Sequence, residues 1–287
     1  MKKSDLKIVK TITDIDEIKA LELDILKKFD AFCTQHGLKY VLTGGSLLGA
    51  VRHKGIIPWD DDIDIGMFRP DYDKLLNLAH TMPDDCKLFS FELSKNTARL
   101  YGRVCNTEYV SVDRYYEEGL SSYFGIDVFP LEAVPSEPQE YAKFSKKIRF
   151  LRRLFIFANS VPFRGSNFFR AYILKPLPIL ICHLIGRERI FKMFRKEIAK
   201  RDYQSATHIA LVTGQYTENE RYPKDKYYRI IRLPFEDMML PAPESYDEYL
   251  KLLYGDYMKL PPEEKRHPHH TFDLYKIEQQ KSFQADF

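Results

Sequence analysis

The chain has 287 residues, of which 44% are hydrophobic; this excludes a disordered chain and is enough to bury a full core as one large domain or one domain with an insertion. The 44 Lys and Arg nearly balance the 41 Asp and Glu, and the net charge of +3 does not point to a nucleic-acid-binding protein. The four cysteines form no Cys-x-x-Cys pair, which argues against a zinc ribbon or disulfide framework and favours a reducing cytoplasm.

The N-terminal part of the chain predicts an α/β arrangement. Residues 1–16 begin basic but lack the apolar run of a signal peptide, and no window reaches the roughly 18 apolar residues of a membrane-spanning helix. Apolar side chains then recur at a spacing near 3.6 over residues 14–36, with Gly37 as the stop, which predicts an amphipathic helix. The following KYVLTGG predicts a short buried strand that ends in a glycine turn, and SLLGAVR predicts the start of a second helix.

The pattern changes again in the middle of the chain. Residues 62–67 alternate Asp with apolar residues and predict a strand, and Pro70 opens a further helix at a favourable first position. Residues 87–131 hold several β-rich stretches, which predict a sheet of mixed direction. Helical patterns dominate afterwards, with residues 244–255 the clearest example. This layout predicts an α/β (α+β) fold.

Carboxylates are concentrated after Trp59, where Asp60, Asp61, Asp62 and Asp64 fall within five positions. Because side chains alternate along a strand, Asp62 and Asp64 share one face while the interleaved isoleucines enter the core. Two such carboxylates repel each other unless a cation or a proton lies between them. Mg²⁺ prefers oxygen ligands and is commonly held by one or two carboxylates. A solvated acidic loop is the alternative, but it gives no reason for Asp to alternate with Ile.

Two further stretches add to this site. Glycines ahead of a helix, here Gly44 and Gly45 before Ser46, let backbone N–H groups approach a phosphate, although a tight turn alone would show the same pattern. Asp127 is flanked by apolar β residues in FGIDVFPL and is predicted to be a third metal ligand or a general base. A strand-end Asp that satisfies backbone donors is the alternative for Asp127.

Three stretches together resemble the LicD family of phosphocholine transferases, relatives of the fukutin group within the nucleotidyltransferase fold of the DNA polymerase beta superfamily. They are GGSLLGAVRHKGIIPWDDDIDIGMFRPDYDKL, FGIDVFPL and PFEDMMLPAPESYDEYLKLLYGDYMKLPP. The resemblance implies a nucleotidyltransferase-like mixed β-sheet core flanked by helices. It also implies transfer of phosphocholine, or a related phospho-alcohol, from a CDP-activated donor such as CDP-choline to a hydroxyl of a lipid-linked cell-surface glycan or teichoic-acid precursor, with release of CMP.

The resemblance assigns roles residue by residue. Asp62 and Asp64 would hold Mg²⁺, or Mn²⁺ in its place, and Asp127 would complete the metal site or take the proton of the acceptor hydroxyl. Seven residues would bind the donor: Gly44, Gly45, Ser46, Arg52, His53, Lys54 and Trp59. Two other functions stay open at this point, a nucleotidyltransferase that releases pyrophosphate and a non-catalytic, membrane-associated scaffold that binds nucleotide.

The layout predicts three regions: a catalytic core over residues 1–135, a basic amphipathic helical region over 136–205, and a C-terminal helical part over 206–287 that completes the core. Residues 149–201 carry 13 Lys or Arg against two Glu, interleaved with apolar runs. Helices of this composition lie in the headgroup region of anionic membranes, so we expect a cytoplasmic protein at the inner face of the plasma membrane. A helical subdomain with a solvated basic exterior is the alternative. The Leu and Ile content favours lipid, and no nucleic-acid partner is expected.

Three histidines close to the C-terminus, His267, His269 and His270, invite a metal-binding interpretation. Pro268 lies between them, they form no helical i, i+4 pair, and no cysteine is nearby. An exposed segment is therefore favoured, and the role of these histidines stays open.

Overall fold

The computed structural model describes residues 7–95, 97–113, 123–161, 175–214, 217–267 and 272–278. Strands and helices alternate along these residues as follows: β1 (Ile8–Ile12), α1 (Ile15–His36), β2 (Tyr40–Leu42), α2 (Gly44–Arg52), β3 (Asp64–Phe68), α3 (Arg69–Leu78), β4 (Cys86–Phe89), β5 (Gly102–Asp113), β6 (Tyr123–Val134), α4 (Pro138–Ala158), α5 (Pro176–Ile185), α6 (Arg187–Ile198), β7 (His208–Leu211), β8 (Tyr222–Pro223), α7 (Lys224–Tyr228), β9 (Ile230–Phe235), β10 (Met238–Pro243), α8 (Tyr246–Tyr254) and β11 (Phe272–Ile277).

A large mixed sheet forms the centre of the molecule. Its main path has the order β1-β11-β5-β6-β3-β2; β4 adds to β5, and β7 pairs with β6 and with β8. The pair β3 and β6 is parallel, and the other pairs described in this sheet are antiparallel. Strands β9 and β10 form a separate hairpin. The predicted α/β class, with a mixed sheet flanked by helices, is confirmed.

The C-terminal part differs from the sequence expectation. Residues 206–278 contribute strands β7 to β11 beside the short helices α7 and α8, so this part is not mainly helical in its described residues. The reason lies in long-range pairing: β11 pairs with β5 on one side and with β1 on the other. When a strand is stabilised by partners so distant along the chain, its local sequence gives little indication that it is a strand. The C-terminal part completes the core as sheet, and the three region boundaries stay a prediction.

Local signals set the ends of the first helix. The carboxylate of Asp14 accepts a hydrogen bond from Asp16 N at 3.1 Å, and Gly37 ends α1 with φ 63°, a left-handed conformation that glycine adopts without strain. The buried face of α1 includes Ile25, Leu26 and Phe29, which belong to the main core. The predicted helix over residues 14–36 is therefore present, with Asp14 as its cap.

The basic region forms three packed helices attached to one end of the sheet. Phe144 and Ile148 of α4 pack with Val212, next to β7, in one apolar cluster. Helices α5 and α6 pack against α4 and against each other. Arg195 of α6 donates a hydrogen bond of 2.7 Å to the buried carboxylate of Glu132 in β6, which fixes α6 to the sheet. Residues 162–174 of the predicted basic region lie outside the described residues. Among the described helices, none is long and apolar enough to span a bilayer.

Candidate active site

The parallel pair of strands brings two of the predicted acids together. Asp64 is the first residue of β3, and its register partner in β6 is Asp127. Neighbouring strands lie about 4.8 Å apart, so these two side chains leave the sheet side by side. A hydrogen bond of 2.9 Å from Asp127 N to Ile63 O extends the pairing by one residue. Asp62 precedes the strand and does not belong to it, which corrects the predicted strand start, yet it lines the same cavity as Asp64 and Asp127.

The two glycines make room for carboxylates. Gly44 has φ 53°, and a Cβ atom there would lie 3.0 Å from Asp64 Oδ2. A Cβ atom on Gly45 would lie 2.8 Å from Asp60 Oδ2. The N-terminus of α2 and the acidic segment are therefore packed against each other with no space for a side chain between them. Both glycines line the cavity, as predicted for residues that approach a bound phosphate.

Ser46 is used differently from the prediction. Its hydroxyl accepts a hydrogen bond of 2.8 Å from Asp64 N, and the residue is buried. It is not among the residues that line the cavity. The Ser46 side chain therefore positions the first residue of β3, where Asp64 projects toward the site.

A cavity of about 930 Å³ is lined by both acidic groups and arginines. The acidic groups are Asp60, Asp62, Asp64, Asp127 and Glu220, and the basic groups are Arg99, Arg149, Arg152 and Arg153. Helix α4 supplies three of the four arginines, and the same helix packs on β7 through its apolar face. These arginines were not predicted as site residues; their basic stretch was assigned to a membrane surface.

Two of the α4 arginines have partners in the protein. Arg152 donates hydrogen bonds to Gly214 O at 2.7 Å and to Thr217 Oγ1 at 2.8 Å, and Arg149 forms an ion pair with Glu218. Burial lowers the pKa of Arg152, and the nearby charge of Arg149 lowers it further. Positive charges held close together in this way favour an anion with several negative oxygens.

The acidic side of the cavity carries negative charge that is not fully compensated. Burial raises the pKa of Asp60 to about 7, and the neighbouring charges of Asp62 and Asp61 add to the shift. Burial raises the pKa of Asp64 well above its usual value, and the charges of Asp62 and Asp127 raise it further. A bound cation or proton would relieve this repulsion.

Asp127 has one oxygen that is satisfied and one that is not. Its Oδ2 accepts a hydrogen bond of 3.1 Å from the Tyr101 hydroxyl. Arg103 Nε lies 3.1 Å from Asp127 Oδ1, but this N–H donates to Gly125 O at 2.9 Å. Asp127 Oδ1 is therefore close to a positive charge yet buried without a hydrogen bond. Its polar neighbour among the described residues is therefore the Arg103 guanidinium.

The potential metal ligands at this cavity suit a hard divalent cation. They consist of carboxylate oxygens and include the orphaned Asp127 Oδ1, and both burial and the neighbouring negative charges raise the pKa of Asp64. In the conformation described here the carboxylates do not close around a common point: no three His, Cys, Asp or Glu side chains of the described ranges are arranged to hold an ion. The chemistry of the residues fits Mg²⁺, while closed coordination is absent from this part of the chain.

Four predicted donor-binding residues lie elsewhere. Arg52 is the last residue of α2, about 12 Å along the helix from Gly44 at 1.5 Å per residue, and His53 and Lys54 follow it. They are not among the residues that line the cavity, and neither is Trp59. Arg52 donates to Tyr257 O at 2.8 Å, and its guanidinium lies 5.9 Å from the centre of the Trp59 ring. This cluster joins the end of α2 to the C-terminal part, and its role in steadying a diphosphate stays a prediction.

Comparison with known proteins now decides the family. A family model described as LicD/FKTN/FKRP, nucleotidyltransferase domain, matches residues 37–169. Over 265 residues the chain is 30% identical to the lipopolysaccharide cholinephosphotransferase LicD of Haemophilus influenzae, and the alignment covers 88% of this chain and 94% of that protein. The chain belongs to the LicD family. The predicted family membership is confirmed, and so is the assignment to its transferases.

Shorter matches occur with other proteins. The chain is 60% identical over 35 residues to the human ribitol 5-phosphate transferase FKRP, which is 12% of this chain and 7% of that protein. It is 50% identical over 58 residues to an uncharacterised protein of Rickettsia typhi, which is 20% of this chain and 19% of that protein. The match to the LicD family model includes Asp62, Asp64 and Asp127 as well as Arg149, Arg152 and Arg153, whereas Glu220 lies outside it.

Two buried glutamates were missed by the sequence interpretation. Glu220 lines the cavity, its Oε2 accepts a hydrogen bond of 2.7 Å from Tyr249, and burial raises its pKa to about 8. Glu22 of α1 is fully buried with both oxygens unpartnered. Burial raises the pKa of Glu22, and the charge of Asp62 raises it further. A Glu is usually exposed, so its residue type alone does not indicate burial. The position of Glu22 beside the apolar face of α1 is the one sequence feature that could have indicated that it is buried.

Proposed function

We propose that this protein transfers phosphocholine from CDP-choline to a hydroxyl of a lipid-linked cell-surface glycan, with release of CMP and with Mg²⁺ as cofactor. The observation that carries this proposal is that four Asp side chains and three arginines of α4 line the same cavity. A diphosphate donor needs both features, because its phosphates need positive partners and the charge that develops on transfer needs neutralisation. Membership of the LicD family and the name of the Haemophilus influenzae relative support the phosphocholine group.

The basic residues of the cavity would bind the donor phosphates, and its acidic residues would hold the metal ion. Arg152 and its neighbours on α4 would bind the phosphate oxygens and hold the donor in one orientation. Gly44 and Gly45 would let the donor approach the N-terminus of α2, whose dipole favours an anion. Asp62 and Asp64 would hold the metal ion, which when bound supplies neutralisation of phosphate charge.

Asp127 is the residue best placed to receive the acceptor proton. Its Oδ2 is occupied by the Tyr101 hydroxyl, while its buried Oδ1 has no hydrogen-bond donor. An acceptor hydroxyl within reach of Oδ1 would satisfy this oxygen and pass its proton to it. Tyr101 would then keep the Asp127 carboxylate from rotating as the proton is transferred.

Aromatic side chains at the same cavity suit a quaternary ammonium group. Tyr101, Phe129, Phe155 and Tyr254 line it, and the Tyr101 and Phe129 rings pack with their centres 4.3 Å apart. Aromatic faces attract the choline cation, which cannot donate a hydrogen bond. These four aromatic side chains favour a choline donor over a ribitol donor.

The proposal is tested by measuring CMP release with Mg²⁺, CDP-choline and a glycan acceptor. We expect CMP only when all three are present, and CDP-ribitol in place of CDP-choline should give much less product. Replacement of Asp64 by Asn should abolish turnover, since metal-bound carboxylates contribute to the reaction directly. The matched control is Asp237→Asn, an exposed Asp paired with Lys27 outside the cavity, which should leave turnover unchanged.

Other products would contradict the proposal. Release of pyrophosphate from CTP without CDP-choline turnover would assign a nucleotidyltransferase reaction to this cavity. Nucleotide binding without any turnover would assign it to a scaffold. Equal CMP release by the Asp64→Asn variant and the unchanged protein would show that the Asp64 carboxylate is not required for the reaction.

A further inference from the structure

The outer face of α5 carries an apolar stripe. Leu177, Leu180, Ile181 and Leu184 are 67%, 48%, 47% and 84% exposed and follow the i, i+3, i+4, i+7 spacing of one helix face. The opposite face holds Ile179 and Cys182, which are buried against the rest of the helical unit. Side chains this apolar seldom line one face of a helix in water without a partner. No described residue buries this stripe.

The neighbouring helix presents positive charge in the same spacing. Arg189, Lys192 and Lys196 are exposed on α6 with Met193, again at i, i+3, i+4 and i+7. The inward faces of α5 and α6 both pack against α4, so both stripes lie on the outside of the three-helix unit. Residues 175–200 contain seven Lys or Arg against two Glu, and one of these, Glu197, is paired with Lys147 and Lys200.

We propose that α5 and α6 dock the protein on an anionic phospholipid bilayer. The apolar stripe of α5 would enter the acyl boundary, and the basic stripe of α6 would contact the headgroups. At ten residues α5 is about 15 Å long and would lie along the surface. The inference specifies which helices would contact the membrane that the sequence led us to expect. It rests on the proposed function only in explaining why the protein would bind there, namely to reach a lipid-linked acceptor.

Charge favours lipid over a second copy of the chain. A symmetric dimer through this face would bring the same basic stripe of both copies together, and like charges at short distance repel. An anionic bilayer offers the opposite charge next to an apolar layer. The stripe is aliphatic, which also disfavours nucleic acid, since bases stack on aromatic rings.

The docking face lies one helix layer from the cavity. Phe155 of α4 lines the cavity and belongs to the same apolar cluster as Cys182 on the inner side of α5. Packed helices are about 8–10 Å apart, so docking through α5 would hold the cavity close to the headgroups. A lipid-linked acceptor could then reach the site without leaving the bilayer.

Vesicle binding tests the inference without donor or acceptor, so its result does not depend on the transferase reaction. The full chain is mixed with sucrose-loaded vesicles of phosphatidylcholine and phosphatidylglycerol, or of phosphatidylcholine alone, and sedimented. We expect binding to the anionic vesicles only. Replacing Arg189 and Lys192 by Gln should weaken it about 30-fold, since each charge near the surface contributes about 5-fold. Replacing Leu180 and Leu184 by Gln should weaken it at least about 10-fold.

A matched control separates this face from general apolar exposure. Leu252 of α8 is 43% exposed, and Leu252→Gln should leave vesicle binding unchanged. Circular dichroism of each variant checks that it remains folded. Equal binding to both vesicle types, or an equal loss with Leu252→Gln, would overturn the inference. A dimer in sedimentation velocity that the α5 variant converts to monomer, with vesicle binding intact, would assign the face to a second copy instead.

Discussion

The contact between Gly44 and Asp64 gives the sharpest test of the site, because the chain provides a matched control. Gly44 and Gly37 both have positive φ, 53° and 63°. A Cβ atom at Gly44 would lie 3.0 Å from Asp64 Oδ2, whereas a Cβ atom at Gly37 would have nothing within 4 Å. Replacing each by Ala therefore imposes the same type of backbone strain, but only Gly44→Ala displaces a carboxylate of the site.

The expected magnitudes follow from these two features. A non-glycine residue in the left-handed conformation costs about 1–2 kcal/mol, so both variants should lose a similar free energy of unfolding. Asp64 must retreat by about 0.4 Å, from 3.0 to 3.4 Å, to restore an ordinary contact with the new methyl group. If a misplacement of about 1 Å costs about 100-fold in rate, 0.4 Å corresponds to roughly 6-fold.

Two measurements on each variant separate strain from displacement. Chemical denaturation gives the free energy of unfolding, and CMP release with Mg²⁺, CDP-choline and glycan gives turnover. We expect Gly37→Ala to lose stability but keep its turnover, and Gly44→Ala to lose both. Full turnover by Gly44→Ala would refute the argument that the glycine makes room for a reacting carboxylate. An equal loss of turnover in Gly37→Ala would attribute the effect to strain alone.

Three further predictions concern individual side chains. Replacing Ser46 by Ala leaves the partly buried Asp64 N–H without its acceptor, which should cost about 1 kcal/mol in denaturation and lower turnover through a less ordered Asp64. Unchanged values would show that the bond is not needed. The pKa of Glu220 is raised from 4.5 to about 8 in the folded protein, so its contribution to stability is present below about pH 4.5 and is lost as pH rises through about 8. Glu220→Gln, which keeps an acceptor for Tyr249, should therefore gain stability relative to the unchanged protein as pH rises, and a parallel pH dependence of the two unfolding curves would contradict this. Because the pKa of Asp60 is about 7, Mg²⁺ affinity measured by calorimetry should rise as pH increases through about 7, whereas Asp60→Asn should flatten this dependence.

The sequence predicted the acidic side of the site because its signal is local. Asp alternates with Ile in one short segment, and Asp127 has apolar β residues on both sides. Burial of those apolar residues fixes which way the acids point. The pairing of Asp64 with Asp127 follows once both strands enter one sheet, although the pattern left Asp127 open to a simpler interpretation. Secondary structure was correctly predicted where caps and periodicity agree, as in α1.

The arginine side could not be predicted, because its orientation is set far along the chain. Arg149, Arg152 and Arg153 occur in a basic amphipathic helix, and such helices are common on protein surfaces and at membranes. Their position at the cavity depends on the packing of α4 against β7, a strand more than fifty residues further on. The helical region consequently has two functions in our proposals. Its α4 arginines face the donor, while the outer stripes of α5 and α6 face the bilayer.

The glycines of the site have a structural role that the sequence pattern did not indicate. Glycine before a helix suggested close approach of a phosphate to the backbone, and both Gly44 and Gly45 do line the cavity. Their nearest contacts are nevertheless the Asp64 and Asp60 carboxylates, which already occupy the space that a methyl group would need. Ser46 joins the same two segments by a hydrogen bond to Asp64 N. The Gly-Gly-Ser turn and the acidic run therefore act as one structural unit, so a change in either segment should disturb the positions of the Asp64 and Asp60 carboxylates.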